Sequence, residues 1–208
     1  MIATGRRMRG HRPAMLILAS TSRYRRELLA RLVSAFDVVA PGVDESALPG
    51  EVPRAQAERL ALAKARVVAD AHPTAIVIGS DQVATLDGVT PIGKPGSHAR
   101  AFAQLRAASG RTMHFHTGLA VLCRAHGFEA STVDDTEVRF RALDDREIED
   151  YLRREQPYDV AGAAKSEGLG IALLEAIDTR DPTALVGLPL IALGRLLGEA
   201  GLPVLGRA

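Results

Sequence analysis

Five consecutive residues, Ala75 to Gly79 (AIVIG), carry no polar side chain and are mostly β-branched, and the run then breaks into Ser80, Asp81 and Gln82. A strand with one wet face alternates apolar and polar residues, whereas one that is apolar throughout is covered on both faces. The chain therefore needs layers above and below a sheet, and the helical patterns flanking this run supply them, which places it in the α/β class. The polar triplet delivers the Asp81 carboxylate to the end of that buried strand. An aspartate in such a place is as often a turn former as a catalytic group. Val83 to Leu86 reads as a further short strand before an Asp87-Gly88 turn.

The same alternation of strand and helix runs along the rest of the chain. Met15 to Ala19 reads as a short buried strand, and Thr21 or Ser22 can cap a helix carrying Leu28, Leu29, Leu32 and Val33. A strand over Phe36 to Ala40 leads into a loop from Pro41 to Pro53 that holds Asp44, Glu45 and Glu51. Pro53 can open the next helix, whose apolar stripe of Leu60, Ala61, Val67 and Val68 is interrupted by Lys64. A loop from Pro91 to Pro95 precedes a helix over Ser97 to Ala108, and two long strands, Thr112 to Arg124 and Phe128 to Arg141, form an antiparallel pair. Asp144 caps a charged helix, Gly162 to Gly170 is a glycine-rich loop, Ile171 to Ile177 is a strand, and Pro182 precedes a largely apolar helix. Residues 1–14, with four arginines and no acid, read as an unstructured leader or a start codon assigned too early, leaving 15–208 as one domain.

Charge balance narrows the function classes. With 26 basic and 25 acidic residues the net charge is +1, so nothing draws this chain broadly to nucleic acid or an anionic membrane, and 4% aromatics argue against extended base stacking. The single cysteine, Cys123, lies in an apolar stretch and fits a reduced cytoplasmic protein, and no apolar run near the start is long enough to span a membrane.

Several segments could carry chemistry. Residues 88–95 (GVTPIGKP) follow the phosphate-loop pattern until Pro95, which offers neither the magnesium-binding hydroxyl nor the N–H that opens the helix; Lys94 can still present a point charge. Ser20, Thr21, Ser22, Arg23, Arg25 and Arg26 gather hydroxyls and guanidiniums where the chain leaves its first strand, which suits phosphate or simply a capped helix with a solvated basic face. Asp44, Glu45 and Asp81 are acids of the type that hold a hard divalent cation and deprotonate water. His114 and His116 share a strand face, where a polar face is a better reading than a metal pair because no third ligand follows from spacing.

Taken together, LILASTSRYRRELLARL (16–32), VDE (43–45), LALAKA (60–65), IGSDQV (78–83), IGKP (92–95), AGAAKSEGLG (161–170) and VGLPL (186–190) resemble the Maf proteins in order and spacing, from Met15 to the C-terminus. The resemblance implies a mixed, twisted central sheet flooring a cleft between two lobes, related to the inosine triphosphatase architecture and often assembled as a homodimer. It implies hydrolysis of a nucleoside triphosphate between the α and β phosphates, with magnesium or manganese. Asp81 is then the proton acceptor, Ser20, Arg25, Lys64 and Lys94 the phosphate contacts, and Glu45 with Asp81 the metal ligands.

Three positions sort substrates within that family, and here they are Tyr24, Gln82 and Glu167. They match a subgroup acting on 7-methyl-GTP, rather than the dTTP and UTP subgroup, which has Arg, Thr and Gln. A physical reason is available: methylation at N7 makes guanine cationic, which suits an aromatic face and a carboxylate. Arg23 stands where proline is common, and Tyr24 where tryptophan is frequent. Alternatives are a dTTP, UTP or CTP pyrophosphatase of the same family and a nonenzymatic regulator of septum formation.

Overall fold

A computed structural model describes residues 15–206, so the leader expected over 1–14 lies outside the described residues. Six strands form one sheet in the order β2-β1-β3-β4-β5-β6. They are β1 (Leu16–Ala19), β2 (Asp37–Val38), β3 (Ile76–Thr85), β4 (Thr112–Cys123), β5 (Phe128–Phe140) and β6 (Leu174–Thr179). β2, β1 and β3 run parallel, while β4, β5 and β6 follow antiparallel, so the sheet is mixed. Five helices accompany it: α1 (Arg23–Leu29), α2 (Pro53–Ala71), α3 (His98–Ala108), α4 (Asp145–Glu155) and α5 (Leu190–Glu199).

The unbroken apolar run has the cause inferred for it. Ile76 and Ile78 of β3 join Leu16, Leu18, Leu28, Leu193 and Leu197 on the face covered by α1 and α5. Val77 joins Ile17, Ala61, Ala65 and Val68 on the face covered by α2. Each large aliphatic side chain buried this way contributes roughly 1.5–3 kcal/mol. A third cluster, with Leu105 of α3, Met113, Phe115 and Phe140 of the sheet, and Ile148 and Leu152 of α4, forms the core of the second lobe.

Local signals set the helix starts. Ser22 caps α1 by accepting from the Arg25 N–H, Ser97 caps α3, and Pro53 occupies the first turn of α2, where its missing N–H costs nothing. Asp144 and Glu147 form a reciprocal capping box on α4.

Several boundaries differ from the sequence reading, among them α1, which ends at Leu29 and does not reach Leu32 and Val33. β3 does not stop at Gly79; it continues through Ser80, Asp81 and Gln82, which pair in register with Leu119, Gly118 and Thr117. Asp81 therefore projects from mid-strand. β2 shrinks to two residues. Residues Leu169–Leu173 form a 3-10 turn, so β6 starts only at Leu174. The last helix begins at Leu190 because the Asp181 carboxylate holds the intervening turn, accepting from the Thr183 N–H at 2.9 Å and the Ile191 N–H at 2.6 Å.

α2 lies unusually close to the sheet, and two glycines permit it. A Cβ on Gly79 would meet the Ala61 carbonyl oxygen at 2.2 Å, and one on Gly118 would meet the Ala57 carbonyl oxygen at 2.2 Å. This approach brings Lys64 of α2 down onto Asp81 of β3. No helix among the described residues is long and apolar enough to cross a membrane.

Candidate active site

A cavity of about 730 Å³ opens between the two lobes, a volume in the range of small-molecule sites. Ser20, Tyr24, Arg25, Glu45, Lys64, Asp81, Gln82, Lys94 and Glu167 all line it. The nine residues that the resemblance assigns to the site are thus brought to one place, although they lie up to 147 positions apart (167 − 20), whereas Arg26, Asp44, His114 and His116 do not line it.

One end is built around a buried ion pair. The Lys64 ammonium, on a side chain 6% exposed, donates to Asp81 Oδ1 at 2.6 Å and lies 2.5 Å from Glu45 Oε1. Asp81 Oδ2 meets no donor among the described residues, so it can accept a proton from a water. Burial works to raise the Glu45 carboxyl, but the hydrogen bond and charge of Lys64, followed by Lys94 and Arg25, hold it below the ordinary glutamate value.

Arg25 approaches the same end from α1. Its Nε donates to the Gly187 carbonyl at 2.9 Å and its Nη1 to Ser20 Oγ at 3.4 Å. Burial pushes its guanidinium below the usual arginine value, against the pull of Asp81 and Glu45. Neither Arg25 nor the exposed Lys94 makes an ion pair among the described residues, which leaves both cations available to an anion.

The other end is aromatic and rich in acceptors. Tyr24 Oη donates to Asp159 Oδ2 at 3.2 Å. Gln82 Nε2 lies 3.0 Å from Thr117 Oγ1 and from the carbonyls of Ala184 and Leu185. Thr117 spends its own proton on Ala184, so all three neighbours are acceptors and the orientation of the Gln82 amide is fixed. Its Oε1 has no partner among the described residues, making Gln82 an acceptor toward a ligand as well as a clamp on the 184–185 carbonyls.

Glu167 sits on the glycine-rich loop, which α4 holds in place. The Lys165 N–H donates to Tyr151 Oη at 3.0 Å, the Leu169 N–H donates to Glu155 Oε2 at 2.9 Å, and Lys165 Nζ lies 3.4 Å from Glu155 Oε1. Burial, reinforced by the charges of Glu155 and Glu167, drives the Tyr151 hydroxyl well above the ordinary tyrosine value against the Lys165 N–H, so it stays neutral.

Sequence reasoning missed Asp159, Gln56, Tyr151, Glu155 and the Gly187 carbonyl. Gly187 lies within the 186–190 segment and Tyr151 shares the apolar stripe of α4 with Ile148 and Leu152, which marks it as core rather than as part of a site. His114 and His116 each face an acid on β5, Glu137 at 3.7 Å and Asp135 at 2.7 Å. No group of three or more potential metal-ligating side chains occurs among the described residues. Cys123 is buried.

The fold and the site define an α/β protein with an interlobe cleft lined by cations, a carboxylate pair, an aromatic ring and free acceptors. The chain belongs to the Maf family, whose Maf-like protein model matches residues 15–200. It is 63% identical over 186 residues to the 7-methyl-GTP pyrophosphatase of a Polaromonas species, covering 89% of this chain and 84% of that protein. It is 62% identical over 197 residues to the 7-methyl-GTP pyrophosphatase of Burkholderia pseudomallei, covering 93% and 91%. Among solved structures it is similar to the Staphylococcus aureus Ham1 protein at 14% identity and a TM-score of 0.44, covering 61% of this chain and 71% of that one, a likeness too loose to bear on the site.

Proposed function

We propose that this chain is a nucleoside triphosphate pyrophosphatase that hydrolyses 7-methyl-GTP to 7-methyl-GMP and pyrophosphate. The observation that carries the reading is the make-up of one cavity, whose wall holds Arg25, Lys64 and Lys94 with Asp81 and Glu45 and also Tyr24, Gln82 and Glu167. The names of the Polaromonas and Burkholderia relatives point the same way.

In this reading the triphosphate lies among Ser20, Arg25, Lys64 and Lys94. Asp81, held at Oδ1 by Lys64, takes the proton of a water at Oδ2 while the water oxygen bonds to the α phosphorus. The bond from that phosphorus to the bridging oxygen breaks, and its electron pair leaves with pyrophosphate. Arg25 and Lys94 would stabilise the charge that builds on the leaving group.

Magnesium or manganese fits the donor set. Two carboxylates already converge on one cation, the Lys64 ammonium, and Gln56, whose Nε2 holds the Glu45 carbonyl at 3.3 Å, keeps a buried Oε1 without a donor among the described residues. Such a cation is held by one or two carboxylates together with substrate phosphates. Glu45 and Asp81 would hold it, and it would supply charge neutralisation at the phosphates.

Glu167 and the free Oε1 of Gln82 are acceptors for the N–H donors of guanine, and the Tyr24 ring gives a cationic base an attractive face. A reduced cytoplasm, suggested by the lone buried Cys123, and a homodimer complete the proposal. The test is pyrophosphate release with 7-methyl-GTP, GTP, dTTP, UTP and CTP in magnesium or manganese. 7-Methyl-GTP is expected to lead. A lead for dTTP or UTP refutes the base assignment, and no release from any nucleotide refutes the enzymatic reading.

A further inference from the structure

Arg23 and Asp159, which the mechanism above leaves unused, form a cluster with Tyr24 on the cavity wall. The Arg23 guanidinium lies over the Tyr24 ring, with Cζ 4.7 Å from its centroid. Its Nη2 donates to Tyr24 Oη at 2.6 Å and lies 3.6 Å from Asp159 Oδ2. A ring face with a carboxylate at its hydroxyl edge thus holds a flat, delocalised cation that carries N–H donors. An N7-methylated guanine has the same description: planar, positively charged and edged with N–H donors. Unmethylated guanine has the donors without the charge.

We propose, resting on the 7-methyl-GTP reading, that Asp159 is a further specificity-determining residue for the cationic base and that Arg23 is a resident stand-in which the base displaces. Glu167 lines the same cavity as this cluster. The Arg23 and Asp159 side chains are 64% and 51% exposed, so water weakens their pairing and Arg23 can leave. An exposed cation on an aromatic face is worth about a two- to fivefold change in affinity, whereas a desolvated one is worth about thirtyfold. A bound nucleotide base is the more desolvated of the two, so it wins the exchange. Because Arg23 competes for the ring and carboxylate, it lowers the apparent affinity for the charged base and leaves the chemistry alone.

Steady-state kinetics of Asp159→Asn and Arg23→Ala with 7-methyl-GTP and GTP test this. Asp159→Asn is expected to raise KM for 7-methyl-GTP about tenfold and for GTP much less, with kcat kept for both. Arg23→Ala is expected to lower KM for 7-methyl-GTP about two- to fivefold, with GTP unchanged. If the unsubstituted enzyme prefers 7-methyl-GTP but either variant moves both nucleotides equally, or Arg23→Ala raises KM for 7-methyl-GTP, this inference alone is overturned. If the unsubstituted enzyme shows no preference for 7-methyl-GTP over GTP, the underlying base reading falls and takes the inference with it.

Discussion

Replacing Gly79 with alanine tests whether the close approach of α2 builds the site. The added Cβ would lie 2.2 Å from the Ala61 carbonyl oxygen, 2.8 Å from the Ala65 nitrogen and 2.9 Å from the Ala65 Cβ. A carbon normally keeps about 3.3 Å from a carbonyl oxygen, so the helix must retreat by about 1 Å. Helix and sheet are both rigid there, since Ala61, Ala65 and Val77 are fully buried. Overpacking of this kind costs about 1–3 kcal/mol. Lys64 rides on the same turn of helix, and its 2.6 Å bond to Asp81 would open past the roughly 3.2 Å limit of a hydrogen bond. A displacement of about 1 Å at a reacting group lowers the rate on the order of 100-fold. Urea denaturation and initial rates of pyrophosphate release measure the two effects. Gly194→Ala is the control: nothing lies within 4 Å of its added Cβ in α5, and alanine there is expected to stabilise by about 0.5–1 kcal/mol. A Gly79→Ala protein that unfolds within about 0.5 kcal/mol of the parent and keeps its kcat/KM would refute the reasoning.

Three further outcomes are expected. Asp81→Asn should remove about 10²–10⁴-fold of the pyrophosphate-release rate while the protein still melts cooperatively; retained activity would exclude Asp81 as the base. Glu167→Gln should weaken hydrolysis of 7-methyl-GTP more than that of GTP, and equal losses in kcat/KM would remove Glu167 from base recognition. Burial, joined by the charges of Asp181 and Asp135, holds the Asp134 carboxyl above the ordinary aspartate value. The folded state therefore binds more protons than the unfolded one between the ordinary and raised values, and stability falls as pH rises through that window. Asp134→Asn should then raise Tm at neutral pH and leave it unchanged below about pH 3.9, and melts showing the same gain at both would contradict this.

Much of this protein follows from local sequence. The covered strand around Val77, the caps Ser22, Ser97 and Asp144, and the helix start at Pro53 are all set by neighbours a few residues away, because burial period and the unpaired N–H groups of a first turn are properties of short segments. The motifs also named nine of the residues that line the cleft, though not Gln56 or Asp159. Their arrangement was decided elsewhere. Ser80, Asp81 and Gln82 read as a strand end because polar side chains interrupt an apolar run. They stay in the strand because Gly187, Lys64 and the 184–185 carbonyls, all distant in sequence, satisfy them. The same long-range partners commit the amide of Gln82, set Asp159 beside Tyr24, and fix the loop of Glu167 through Tyr151 and Glu155. A segment's own pattern states which groups must be buried or bonded; only the packed chain determines which distant group meets that requirement, and so where each charge in the cleft points.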